Sequence, residues 1–113
     1  MNHLESNNNP KIIELSKIDD KRGYFIKSFN KSEADTPIPF EIYEQFYTYS
    51  IKNVLRGFHF QHPPYEQAKI IHCIQGEILD VIIDIRKNTK NYGKIYSYYL
   101  SSKNPSVLYI PAT

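Results

Sequence analysis

Apolar and polar positions along this chain alternate far more often than they recur at helical spacing, which predicts strands and no convincing helix. The densest patterning runs from Leu55 to Asp84, LRGFHFQHPPYEQAKIIHCIQGEILDVIID. Inside it, Lys69–Gln75 and Ile78–Ile85 read as the two clearest strands. Gly76 interrupts the apolar run, so a hairpin through Gln75-Gly76-Glu77 is expected to join them. Lys69, Ile71 and Cys73 share one face of the first strand, and Ile70, His72 and Ile74 share the other. On the second, Asp80, Ile82 and Asp84 share a face opposite Val81, Ile83 and Ile85. Carboxylates placed beside an isoleucine predict that this face lines a cavity rather than bulk water.

The remaining pattern is also short strands and turns. Lys11–Leu15 reads as a strand, Ser16–Asp20 as a turn, and Tyr24–Phe29 as a strand following the polar corner Asp19-Asp20-Lys21-Arg22-Gly23. Asn30–Pro39 is loop by composition. Glu41–Ser50 alternates along an aromatic face and reads as a strand, with a helix starting near Pro39 as the alternative. Leu55–Gln61 is a further strand, and Pro63-Pro64 forces an irregular connection after it. Beyond the central stretch come a polar loop from Arg86 to Lys94, a strand at Ile95–Leu100, a turn, and a last strand at Val107–Ile110. Arg86 reads as a solvated charge. Residues 1–10 read as a flexible tail and 11–113 as a single domain. The fold class expected is all-β, an antiparallel sandwich or barrel.

Composition narrows the partners. The 113 residues suffice for one modest core. Fourteen basic residues against twelve acidic ones give a net charge of only +2, with no basic run. A nucleic-acid partner is therefore not expected. Ten tyrosines, six phenylalanines and no tryptophan favour strands. Cys73 stands alone in an apolar run and reads as a buried small hydrophobe, so no disulfide framework exists and a reducing, cytoplasmic compartment is expected. The polar start MNHLESNNNP is unlike a signal peptide, and no stretch is apolar enough to span a membrane.

Candidate chemistry sits on the central stretch. Arg56 offers a guanidinium fork suited to a phosphate or diphosphate. His59, between Phe58 and Phe60, is placed to act as a general base. Lys69 and Asp80 are expected to meet across the Gln75-Gly76 hairpin, where a partly buried ammonium gains a counter-charge. The bland readings stand beside these: a hydrogen-bonded rim histidine, a salt bridge at a hairpin, and His62 as a loop residue. His59, His62 and His72 with Asp80 or Asp84 match no compact zinc spacing, so no metal or cofactor is expected.

LRGFHFQHPP, the lysine of QAKI, and QGEILDVIIDIR together resemble the dTDP-4-dehydrorhamnose 3,5-epimerase family of cupin-type nucleotide-sugar epimerases. Asp20-Lys21-Arg22-Gly23-Tyr24-Phe25 resembles that family's D-x-R-G-x-F element, and Leu108-Tyr109-Ile110-Pro111 the approach to its last barrel strands. The resemblance implies a jelly-roll barrel, a homodimer with strand exchange, and epimerisation at C3, C5 or both of a nucleotide-diphospho-4-keto-6-deoxysugar. It assigns His59 as the base that removes the proton alpha to the 4-keto group, Lys69 as the group that stabilises the enolate oxygen, and Asp80 as an acid in the same pocket. It assigns substrate binding to Arg22, Phe25, Thr48, Ser50, Arg56 and Gln61. Lys27 replaces a family glutamate, and Glu44 and Phe46 replace a Q-x-N pair, which alters nucleotide and sugar recognition. The family continues past this stretch into a G-F-A-H-G-F-like segment, a tyrosine acid and a carboxylate that orients the base. None of these is supplied by residues 1–113. Two alternatives follow: a sugar 3,4-ketoisomerase, whose R-G-x-H-A-H motif differs at Phe60-Gln61, and a truncated cupin that binds the nucleotide sugar or serves as a structural subunit.

Overall fold

Ser106–Ile110 (SVLYI) is the strand around which the chain packs, with Val107, Leu108 and Tyr109 all buried although they alternate between its two sides. A strand buried on both sides must be flanked, and this one is. The computed structural model describes residues 8–30 and 41–112, and among these it has seven strands. They are β1 (Lys11–Glu14), β2 (Lys17–Asp20), β3 (Gly23–Ile26), β4 (Lys69–His72), β5 (Glu77–Ile83), β6 (Ile95–Ser101) and β7 (Ser106–Ile110). β7 lies between β1 and β4 in an antiparallel sheet, β2 pairs with β3, and β5 pairs with β6. The architecture is all-β and antiparallel, and among the described residues no sheet closes on itself.

Two layers share one core. Leu108 from the three-stranded sheet and Cys73, just past the end of β4, meet Leu100 from β6, and Ile71, Ile82, Tyr98 and Ile110 surround them. The strand register explains which side chains turn inward. Asp80 lies opposite Tyr98, and Ile82 opposite Tyr96, so these four share the inner face of β5–β6. The other face carries Leu79, Val81, Ile83, Ile95 and Tyr99, all exposed. The predicted facing of Asp80, Ile82 and Asp84 toward the interior is therefore what the structure has: Asp84 is buried and the other two are half-buried. Truncating Leu108, which has no exposed surface, is expected to cost about 2–5 kcal/mol of stability. The midpoint of urea unfolding of Leu108→Ala checks this.

Several expectations are overturned. β4 and β5 do not form a hairpin: β4 pairs with β7 and β5 with β6. The Cys73-to-Gly76 link instead carries the chain from one layer to the other. Gly76 takes a φ of +82° there, and the Cys73 thiol lies against the carbonyl oxygens of Gln75 and Gly76. Ser16–Asp20 is largely strand rather than turn, because Lys17–Asp20 pairs with Gly23–Ile26 around a tight corner at Lys21-Arg22. That makes β3 shorter than the predicted Tyr24–Phe29. The predicted strands at Glu41–Ser50 and Leu55–Gln61 form no ladder, and every residue from 41 to 60 is exposed. Alternation supplied the strand pattern, but no neighbouring strand among the described residues accepts its hydrogen bonds.

Arg86 is not a solvated charge. Its side chain is 16% exposed, and it grips Asp84, whose side chain is 3% exposed, through contacts of 2.6 and 3.1 Å. It also donates to the Asn8 carbonyl oxygen at 2.7 Å. Asn91 reaches Asn9 at 3.0 Å, and the Tyr98 hydroxyl donates to the Pro10 carbonyl oxygen at 3.1 Å. Asn8–Pro10 is thus tied onto the two-layered body. The predicted tail up to Asn7 and the predicted loop between Lys31 and Pro39 lie outside the described residues.

Candidate active site

Lys69 opens β4 opposite Ile110, on the same side of its sheet as Ile71 and the core. Asp80 lies midway along β5 on the facing layer. Burial pushes the Asp80 carboxyl above its ordinary range, and the nearby Lys69 charge pulls it back down. Lys69 is exposed at the start of β4, so in place of the expected partly buried pair along a hairpin it acts on Asp80 only as a nearby charge from a different sheet. No direct hydrogen bond joins them among the described residues. Replacing Lys69 with methionine removes the only attraction opposing burial, so the Asp80 carboxyl is expected to titrate at a still higher pH. Carboxyl-carbon NMR of Lys69→Met checks the direction.

A second pairing forms in the segment before β4. The Arg56 Nε donates to the Ser50 Oγ at 2.9 Å, which joins two of the predicted substrate-binding residues. Thr48, His59 and Gln61 share this exposed stretch, and Phe58 and Phe60, 66% and 55% exposed, flank His59. No hydrogen bond or ion pair among the described residues links His59 to Lys69 or Asp80. Arg22 and Phe25 lie apart from both groups on the β2–β3 hairpin. There Arg22 holds Asp20 by backbone and guanidinium contacts of 2.7 and 2.8 Å, which keeps the Asp20 carboxyl below its usual range. Gly23 sits at the corner with a φ of +140°, and Phe25 lies opposite Ile18 with its ring exposed.

Cavity size alone does not mark the site. A cleft of about 290 Å³ is lined by His72, Cys73, Tyr24, Ser28 and Ser102 among others, and includes none of the nine residues predicted to act on substrate. Burial pushes the His72 imidazole down, toward its neutral form. Among the described residues no group of three or more His, Cys, Asp or Glu side chains is arranged to hold a metal ion. Two residues were missed from sequence, Tyr98, which lies opposite Asp80, and Arg86, which grips Asp84. The signal for Arg86 was present, since its spacing of two from Asp84 puts it on the same inward face. Nothing in the sequence pointed to Tyr98, because only the strand register sets it opposite Asp80.

An antiparallel all-β body of two layers, with a half-buried carboxylate on its inner face, defines the class of protein. Its sequence then places it more narrowly. The family profile of dTDP-4-dehydrorhamnose 3,5-epimerase matches residues 7–113, and the chain belongs to that family. The dTDP-4-dehydrorhamnose 3,5-epimerase of Escherichia coli K12 is 39% identical over 102 residues, covering 88% of this chain and 55% of the relative. Among solved structures, the dTDP-4-dehydrorhamnose 3,5-epimerase of Sulfolobus tokodaii superposes with a TM-score of 0.83 at 36% identity, covering 91% of this chain and 58% of that one. The Legionella pneumophila dTDP-6-deoxy-D-glucose-3,5-epimerase, solved in complex with dTDP-4-keto-L-rhamnose, superposes with a TM-score of 0.80 at 31% identity, covering 91% of this chain and 55% of that one. The chain spans about half the length of the curated relatives it matches.

Proposed function

We propose that this chain carries the proton-abstracting part of a nucleotide-sugar 3,5-epimerase, acting on a dTDP-linked 4-keto-6-deoxyhexose in the cytoplasm. The observation that carries the reading is the family match over residues 7–113, with the half-buried Asp80 of β5 and the exposed Lys69 of β4 near enough for the lysine's charge to act on the carboxylate. A carbon acid next to a ketone gives up its proton only if negative charge on the ketone oxygen is stabilised as it forms. Lys69 supplies that charge and Asp80 orients it. His59 takes the proton from C3 or C5, and reprotonation from the other face inverts the carbon. The paired Arg56 and Ser50, with Thr48 and Gln61 beside them, hold the diphosphate and the sugar. Arg22 and Phe25 contact the nucleotide.

The finer architecture we assign is the cupin-type jelly roll, working as a homodimer with strand exchange. The β2–β3 hairpin supports this assembly. Among the described residues it pairs with no other strand, and it exposes Ile18, Tyr24 and Phe25 to 62%, 64% and 58%. An arm of this kind gains by docking on a second copy.

A second reading is a cupin that binds the nucleotide sugar without turning it over. It is favoured by the exposed, unladdered segment that bears His59. Incubation with a dTDP-4-keto-6-deoxyhexose in deuterated water separates the two. Deuterium at C3 or C5 supports the epimerase, binding with no exchange supports the second reading, and a carbonyl moved to C3 would show a ketoisomerase. Neither exchange nor binding sinks both proposals.

A further inference from the structure

Tyr98 is the residue that the register sets directly across from Asp80, so their β-carbons lie about 4.5–5.5 Å apart on the inner face. Its ring packs against the core of Cys73, Leu100 and Leu108. Its hydroxyl is spent on the Pro10 carbonyl oxygen at 3.1 Å, and Tyr96 stacks beside it with ring centroids 6.5 Å apart and planes within 6°. The ring is therefore fixed at three points: strand, neighbour ring and strap. Asp80 is half-buried on the inner face that it shares with Ile82, Tyr96 and Tyr98, so its neighbours on that face are what exclude water from it.

We propose that Tyr98 is a positioning residue for the Lys69–Asp80 pair, its ring walling Asp80 off from solvent and its hydroxyl locking that wall to the Asn8–Pro10 strap. The importance of this wall for catalysis rests on the function proposed above, but the wall itself does not. The groups that bear on Asp80 are few. β4 contributes Lys69, β6 contributes Tyr96 and Tyr98, and β5 itself contributes Asp84, which is already held by Arg86. β7 turns Leu108 and Ile110 inward, and Glu14 of β1 sits at the far end of that sheet, opposite Ser106. Among these, Tyr98 is the cross-strand neighbour, and the raised titration of Asp80 has burial as its leading cause.

The test is a carboxyl-carbon NMR titration of Asp80 in the full 113-residue chain, with no substrate present. Tyr98→Phe keeps the ring but frees the strap, and is expected to move the Asp80 midpoint part of the way down toward an ordinary aspartate. Tyr98→Ser removes the wall and is expected to move it further. Tyr99→Ser, on the outer face of the same strand, is expected to leave it in place. An unchanged midpoint in Tyr98→Phe and in a folded Tyr98→Ser overturns the proposal. Should Tyr98→Ser fail to fold, Tyr98→Phe decides alone, because it preserves the packed volume. A shifted midpoint in a protein that shows no deuterium exchange would sink the epimerase reading and leave the role of Tyr98 standing.

Discussion

His59→Ala is expected to reduce deuterium incorporation at C3 and C5 by about 10²- to 10⁴-fold, the contribution of one positioned proton-transfer group. The substitution is unusually clean in this fold. His59 is exposed, as is every residue from 41 to 60, so its removal leaves no cavity and no orphaned partner among the described residues. Surface changes of this kind shift stability by no more than about 0.5 kcal/mol. Loss of exchange in a variant with unchanged thermal unfolding is therefore a statement about chemistry. Affinity for the nucleotide sugar is expected to hold, since Arg56 and Ser50 remain paired. Full exchange in His59→Ala would assign the base to another residue. A matched loss of binding would make His59 a ligand-holding group instead.

The second large effect concerns stability. Arg86→Ala is expected to cost about 3–5 kcal/mol, because it strands a buried carboxylate for which Arg86 is the one cationic partner among the described residues. That is a large share of the 5–15 kcal/mol typical of a folded domain, roughly speaking. The same substitution frees the Asn8 carbonyl, so hydrogen exchange at Asn8–Pro10 is expected to accelerate along with global unfolding. A double replacement, Asp84→Leu with Arg86→Met, removes both charges and is expected to recover part of the loss. The sign of the pH dependence follows from the same contact. Hydrogen bonds from Arg86 hold the Asp84 carboxyl below its usual range, with burial opposing them. The folded state thus binds fewer protons at this site than the unfolded chain does. Stability from the pair is complete above the ordinary aspartate range and is lost as pH falls through the depressed folded value. Urea midpoints measured down an acid series check this, and in Arg86→Ala, where burial becomes the leading influence on Asp84, the contribution of this site should change sign. An Arg86→Ala protein as stable as the parent would show the clasp to be ornamental.

Much of this molecule is legible along the chain. The alternation in Asp80–Ile85 is enough to turn Asp80, Ile82 and Asp84 to one side, because a strand has a period of two whatever it pairs with. Cys73 in its apolar run is correctly a buried small hydrophobe. The alternation through 41–60 misleads for the complementary reason. A strand exists only when a neighbour takes its backbone hydrogen bonds, and that neighbour is not encoded in the segment itself. Ser16–Asp20 misleads in the opposite way: a polar run with no apolar period still forms a strand because Gly23 allows the corner that brings its partner alongside.

The residue types and their local spacing settled the class of structure, the inward set of acids and the family. These are properties of neighbours in sequence, and they survive any arrangement of the layers. Which strand lies beside which is different. β4 joins β7 across more than thirty intervening residues, and β5 joins β6 instead of β4. That choice set Lys69 and Asp80 on different sheets, put Tyr98 across from the same carboxylate, and drew Arg86 out of solvent to bind Asn8. Long-range pairing is decided by the total burial it achieves, a sum over the whole chain that no single stretch carries.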